Sequence, residues 1–214
     1  MAQVDEYKGE RLTVLNEGKR CIHSRHCVLN LPNVFKPNVD GPWIDPGAAV
    51  TEATIAVITK CPSGALRYRP EGKTPAEGVP GVNAVRVAEN GPLIVYAELN
   101  VNGDTASHRA TLCRCGKSFN KPYCDKMHEK AGFIATGEPQ SGEAKALAVK
   151  NGPLHVTATK DGPLHVEGAL EVCSASGRTI TRTTETWLCR CGYSKNKPFC
   201  DGSHEAAGFK ADGI

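Results

Sequence analysis

The chain has 214 residues, with 26 Lys and Arg against 23 Asp and Glu, and only 6% of its residues are aromatic. A net charge of +3 is too mild to argue for nucleic acid or a membrane surface, and no run approaches the ~18 apolar residues of a spanning helix. With 22 glycines and 14 prolines the expectation is short strands, many turns and small cores, the kind that a metal or a disulfide usually supports.

There are ten cysteines. The opening "MAQVDEYKGERLTVL" is charged and lacks the apolar core of a secretory signal. The expected compartment is therefore the reducing cytoplasm, where clustered cysteines bind metal more often than they form disulfides.

In chain order, the first unit is expected over residues 1–70. "TEATIAVITK" (51–60) reads as one helix with Ala53, Ile55, Ala56 and Ile58 near its inner face. Short strands and turns surround it. "RPEGKTPAEGVPG" (69–81) reads as an exposed spacer. The second unit, 82–135, opens with "AVRVAENGPLIVYAEL", an alternating pattern broken at Asn-Gly as antiparallel strands are. "HRATL" then leads as a strand into "LCRCGKSFNKPYCDKMHEKAGF" (112–133). A second spacer, "TGEPQSGEAK" (136–145), precedes the third unit, 146–214. There "ALAVKNGPLHVTATKDGPLHVEGAL" alternates in the same way, and "TTETWL" leads into "LCRCGYSKNKPFCDGSHEAAGF" (188–209).

The two long stretches are copies, with 16 identities in 22 positions at an offset of 76. Upstream, "NGPLIVYAEL" and "DGPLHVEGAL" match at an offset of 71. The later copy thus carries five extra residues, placed in a loop around "CSASGR" (173–178). Each copy reads C-x-C-x8-C-x3-H, giving Cys113, Cys115, Cys124, His128 and Cys189, Cys191, Cys200, His204. Asp125 and Asp201 are expected to N-cap one short helix each, placing His128 and His204 in the first turn. Three thiolates and an imidazole suit zinc or an iron–sulfur cluster by type. The spacing favours the cluster without deciding the matter, because structural zinc sites usually use pairs about two to four residues apart, whereas here a C-x-C pair is joined by a third cysteine from a long loop.

The later copy, Cys189-Arg-Cys191, Ser194, Pro198, Cys200-Asp201-Gly202-Ser203-His204, resembles the CDGSH iron–sulfur family, the mitoNEET-like proteins. The earlier copy keeps Cys113, Cys115, Ser118, Pro122, Cys124, Asp125 and His128, with "KM" in place of "GS". The resemblance implies one [2Fe-2S] cluster per motif. The first two cysteines would hold one iron, and the third cysteine with the histidine the other. Family members are dimers under a β-rich cap. Two motifs in one chain imply a monomer with an internal pseudo-dimer, capped by the Gly-Pro strands about a pseudo-two-fold axis. Replacing a thiolate by a neutral imidazole raises the reduction potential, and protonating the ligating nitrogen would release the metal.

In the first unit, Cys21 and Cys27 in "CIHSRHC", "LPNVFKPNVDGPW", and Cys61 in "CPSGALRY" resemble single-cluster ferredoxins over residues 10–70. Ser24 stands at the fourth ligand position. Three outcomes stay open: a [3Fe-4S] cluster on Cys21, Cys27 and Cys61; a [4Fe-4S] cluster completed by Ser24, His23, His26 or water; or three buried thiols without a cluster. His23 and His26 read as exposed loop residues.

The expected class is α+β: a ferredoxin-like unit, then two CDGSH units with short cluster-binding loop–helix segments. Cys173 reads as a lone thiol; His108, His155 and His165 as polar strand residues; Lys121 and Lys197 as solvated; Trp43 and Trp187 as core anchors. No catalytic constellation is visible, so the expected function is non-enzymatic. It is single-electron transfer with redox partner proteins. Cluster storage or transfer to apo acceptors, redox or pH sensing, and a structural zinc protein are the alternatives.

Overall fold

The structure is a computed structural model that describes residues 3–105 and 107–214. The chain divides into two compact units, the first ending at Gly78 and the second opening at Val79. The fold is mixed α+β, mostly sheet.

The first unit carries an antiparallel sheet in the order β1 (Asp5–Lys8), β2 (Leu12–Asn16), β3 (Leu66–Pro70). Two helices lie between β2 and β3 in the chain, α1 (His26–Asn30) and α2 (Thr51–Ile58). Leu12, Val14, Val34, Phe35, Ile44, Ile58 and Leu66 form the core. Trp43 anchors it as expected, its ring 6.1 Å from that of Phe35 and 6.5 Å from that of Tyr7. Helix α2 turns inward only part of the face expected: Ile58 is in the core and Ile55 packs against it. Thr54, Val57 and Ile58 are buried and Ala56 is exposed. The 54/57/58 spacing is a true helical stripe, whereas 53/55/56/58 wraps around the axis. Glu17 takes two buried cations, with Arg20 Nε at 2.9 Å and Arg67 Nη1 at 3.1 Å. The 69–81 segment is not all spacer: Arg69 and Pro70 end β3, Thr74 is buried, and the Tyr68 hydroxyl donates to Pro75 O.

The second unit is one seven-stranded sheet built from both copies. The first copy supplies β4 (Ala84–Val87), β5 (Leu93–Tyr96), β6 (Glu98–Val101) and β7 (Arg109–Leu112). The second supplies β8 (Pro153–Ala158), β9 (Leu164–Cys173) and β10 (Thr179–Leu188). Strand β8 begins at Pro153, so "ALAVKN" (146–151) is not strand. The copies exchange pairings. Strand β6 runs parallel to β8 with Asn100 opposite His155, and β4 runs parallel to the end of β9 with Ala84 opposite Glu171. Shifting either pair by the 71-residue offset of the repeat reproduces the other. Within each copy, β5–β7 and β9–β10 are equivalent antiparallel pairs. Alternate residues of all these strands, among them Val85, Val95, Leu99, Leu154, Val166 and Val172, close into one core.

Two expectations fail here. The 136–145 segment does not run free, because it lies along β10. Gly142 N donates to Ile180 O at 2.9 Å, and Thr181 and Arg182 side chains reach Glu143 O and Ala144 O. Trp187 is 46% exposed and anchors no core. It sits one position out of phase with buried Leu188, and strand alternation turns it outward.

Candidate metal centre

Each cysteine loop is closed by the strand that delivers it. In the first copy Cys113 N donates to Pro122 O and Cys124 N to Thr111 O, both at 2.8 Å. The second copy repeats this with Cys189 and Pro198, and Cys200 and Trp187, at the same distances. Inside each loop a buried serine ties the turn. Ser118 and Ser194 donate to Tyr123 O and Phe199 O at 2.7 Å and accept from Asn120 N and Asn196 N at 3.0 Å. Lys121 and Lys197 are half-buried rather than solvated, and each Nζ donates to the carbonyl of that serine.

The aspartates act one position earlier than a standard N-cap. Helix α3 (Met127–Lys130) has Lys126 as its N-cap, and α4 (Ser203–Ala206) has Gly202; both are left-handed, at φ 69° and 84°. Asp125 and Asp201 therefore accept from the backbone two residues on, Met127 N and Ser203 N, each at 3.0 Å. Their second oxygens accept from Phe119 N at 2.7 Å and Lys195 N at 2.8 Å, so each carboxylate bridges loop and helix. These bonds, led by the Ser203 hydroxyl, hold the Asp201 carboxyl well below the usual carboxylate range. The "KM" of the first copy keeps the same loop, with Lys126 in the conformation that Gly202 adopts without strain.

The donors fall into pairs. Sγ of Cys113 and Cys115, and of Cys189 and Cys191, are 3.7 Å apart. Cys124 Sγ lies 3.4 Å from His128 Nδ1, and Cys200 Sγ lies 3.5 Å from His204 Nδ1. Metal bonds of about 2.3 Å to sulfur and 2.0 Å to nitrogen at a tetrahedral angle place donors roughly 3.5–3.8 Å apart, so each pair fits two corners of one metal ion. A single zinc would hold all four donors that close. Yet among the described residues the one set of three or more such donors lying within 4.8 Å of one another is His165, Glu167 and Glu185, elsewhere in the sheet. Each quartet is thus two chelating pairs, not one tetrahedron.

Hydrogen bonds and burial act on the sulfurs in opposite directions, and burial raises the pKa of Cys191 as well. Backbone N–H groups of Lys117, Lys126, Tyr193 and Gly202 donate to Cys115, Cys124, Cys191 and Cys200 at 3.4–3.5 Å. The Cys115 thiol beside it brings Cys113 down to about 6, whereas burial pushes Cys124 up to about 11. Burial lowers the His128 pKa, favouring the neutral imidazole that ligates metal.

Between the two cysteines of each pair stands a residue that the sequence reading passed over. Arg114 and Arg190 are 1% exposed. Arg114 donates to the carbonyls of Gly91, Thr136, Ala88 and Ala135 at 2.6–3.1 Å. Arg190 donates to Gly162, Asp212 and Thr159 at 2.6–3.0 Å. Phe133 and Phe209 cover the guanidinium groups at 5.4 and 5.5 Å. Burial lowers the pKa of Arg114 to about 10, and the opposing charge it feels first is Cys189, in the other copy; Arg190 likewise feels Cys113. The available signal was the identity of "LCRCG" in both copies. The two loops also touch. A Cβ on Gly116 would stand 2.2 Å from Cys191 O, and one on Gly192 would stand 2.6 Å from Cys115 O.

In the first unit, Cys21 accepts from His23 N at 3.4 Å, the same bond that four cysteines of the second unit make. Cys27 is the second residue of α1, and Cys61 follows α2. Burial raises the Cys27 pKa, and after burial and a backbone bond the next causes are the charges of Cys61 and Cys21, so the three thiols share one neighbourhood. Ser24 and His23 are exposed, as expected of His23, while His26 is half-buried. Among the described residues no hydrogen-bond partner reaches the buried His26 Nε2. Cys173 is half-buried at the end of β9, with Glu171 3.8 Å away.

Comparison with known proteins finds family matches over both units. The family model described as a divergent 4Fe-4S mono-cluster matches residues 7–71. That described as an iron-binding zinc finger of CDGSH type matches residues 90–129 and 161–205. The uncharacterized protein YjdI of Escherichia coli (strain K12) is 38% identical over 63 residues, covering 29% of this chain and 82% of the relative. YjdI of Escherichia coli O157:H7 matches to the same extent. No helix among the described residues is long and apolar enough to cross a membrane. With two CDGSH segments, eight paired donors and a three-thiol unit before them, the chain belongs to the CDGSH iron-binding proteins, as a tandem form joined to a divergent 4Fe-4S mono-cluster domain.

Proposed function

We propose that the second unit binds two [2Fe-2S] clusters and serves as a non-enzymatic single-electron carrier. The pairing of the donors carries this reading. Two chelating pairs that do not converge on one point call for two metal centres, which a two-iron cluster supplies and a lone zinc does not. Cys113 with Cys115, and Cys124 with His128, would each hold one iron; Cys189, Cys191, Cys200 and His204 repeat the arrangement. Such a cluster supplies one-electron chemistry at a potential raised by its histidine. The chain's own part is to exclude water with buried cysteines, to place N–H donors on sulfur, and to set a guanidinium beside the thiolates. The exchanged β4–β9 and β6–β8 pairs support a pseudo-two-fold cap over both sites. We assign Cys21, Cys27 and Cys61 to a third cluster in the first unit, supported by their shared neighbourhood and the orphaned His26 nitrogen.

Metal and acid-labile sulfide analysis of anaerobically purified protein tests the reading. About two irons and two sulfides per copy, with visible absorption that bleaches on one-electron reduction, are expected. About one zinc per copy and no visible band would sink it. Release of the cluster to an apo acceptor is the second reading. It is favoured by the half-buried placement of His128 and His204 against the buried Cys113, Cys115, Cys189 and Cys191. Incubation with an apo-ferredoxin separates the two, because a carrier cycles without losing iron.

A further inference from the structure

The outer face of the second-copy strands holds a group of donors that neither cluster uses. Its centre is β9, where His165 and Glu167 stand two residues apart and so share a face. Glu185 of β10 is directly opposite Glu167, and Trp187 is directly opposite His165. On the other side His155 of β8 is also directly opposite Glu167. His165 Nε2 lies 2.8 Å from Glu185 Oε1, and Nδ1 lies 3.7 Å from Glu167 Oε2. One donor atom from each of the three comes within 4.8 Å of the other two. Trp187 stacks on the imidazole, with centroids 4.8 Å apart and planes 11° apart, and so fixes the ring.

Two carboxylates directly across a ladder repel each other unless something cationic lies between them. No Lys or Arg pairs with Glu167 or Glu185 among the described residues; the ionic partner of both is His165. An imidazole is as ready to give a lone pair to a metal as to carry a proton. The repeat provides an internal comparison. The same sheet positions of the first copy hold Ala84, Ile94, Tyr96, Arg109 and Thr111, in equivalent registers and without an imidazole or carboxylate. Neither the fold nor the cluster loops therefore require these donors.

We propose that His165, Glu167 and Glu185 form a binding site for a divalent transition ion of the zinc type, separate from the iron–sulfur sites. Mixed imidazole and carboxylate donors select late first-row ions over magnesium or calcium. An ion with bonds of about 2.0 Å seats between donors roughly 3.3 Å apart, so His165 Nε2 and Glu185 Oε1 need open by only about half an ångström. His155 flanks the site on β8, and solvent completes the coordination.

The test is zinc titration of the cluster-loaded full-length protein by calorimetry, with cluster absorbance followed in parallel. The expected result is one saturable zinc per chain, unchanged visible absorbance, and a change in Trp187 fluorescence. His165→Gln and Glu185→Gln are each expected to weaken zinc at least about tenfold while cluster content and far-UV spectrum stay as in the parent. Absence of saturable zinc overturns the proposal. So does equal binding by both variants, or zinc uptake that tracks loss of cluster absorbance, which would place the ion in the cysteine loops.

Discussion

Gly116→Ala tests whether the two cysteine loops behave as one body. The new Cβ would lie 2.2 Å from Cys191 O and 2.8 Å from Cys191 C, and the residue has φ +77°. A left-handed alanine costs roughly 1–2 kcal/mol, and forcing a methyl into filled space a further 1–3 kcal/mol. The sum, about 3 kcal/mol, is roughly 10 °C of thermal midpoint for a unit of this size. Gly202→Ala is the control, since it has φ +84° but nothing within 4 Å of its Cβ. It incurs the conformational part alone, about 1 kcal/mol or ~3 °C. The assay is loss of visible absorbance at a fixed heating rate, because cluster loss is irreversible. Since the clash falls on the second copy while the substitution lies in the first, both clusters are expected to bleach together. Equal midpoints for the two variants would refute the reasoning, as would a Gly116→Ala protein that loses half its absorbance early and keeps the rest to the parental midpoint.

Lys126→Gly is expected to stabilise the first site by up to about 1 kcal/mol, read as a later bleaching midpoint, because it removes a left-handed lysine; the Lys126–Glu129 ion pair is too exposed to offset this. Arg114→Met leaves four carbonyls without their donor, so a loss of about 3 kcal/mol or more is expected, with a downward shift in the potential of the second cluster, because Arg114 faces Cys189. His204→Cys should lower the potential of the second cluster and slow its acid bleaching; a titration monitored by absorbance that shows neither removes histidine from the acid response. Two pKa shifts separate the groups behind acid sensitivity. The lowered His128 pKa contributes stability that is complete above the ordinary value of 6.5 and is lost as pH falls below it. The lowered Asp201 pKa contributes stability that persists until pH falls below its ordinary 3.8. Cluster loss between pH 6 and 5 should therefore survive Asp201→Asn unchanged in midpoint.

Residue spacing made the donor pairs legible, because a C-x-C strand end and a cysteine four residues before a histidine are local geometry. Trp43 was legible too, since an aromatic between turn residues in a small unit has little choice but the core. Strand alternation, applied one position at a time from Leu188, would also have placed Trp187 outside; reading large aromatics as anchors overrode it. The β4–β9 pairing joins residues 87 positions apart (Ala84 with Glu171) and the β6–β8 pairing residues 55 apart (Glu98 with Pro153), and nothing in either strand names its partner. Arg114 and Arg190 were hidden for a similar reason. An arginine reads as surface, and its role depends on carbonyls contributed by distant turns. The 136–145 segment had the composition of a spacer, yet the side chains of Arg178, Thr181 and Arg182 hold its backbone to β10.

The repeat also bears on how such a molecule can diverge. In an assembly of two identical chains every substitution appears twice, so a new surface feature on one half is forced on the other. Here each half is encoded separately, while the contact at Gly116 and Gly192, with the crossing of Arg114 and Arg190, ties each half to the other's cysteine loop. Positions such as Ile94 and His165, equivalent in register but chemically unrelated, are free to follow separate histories. Covalent linkage turns a symmetric scaffold into one that can hold two like sites and still present two unlike faces.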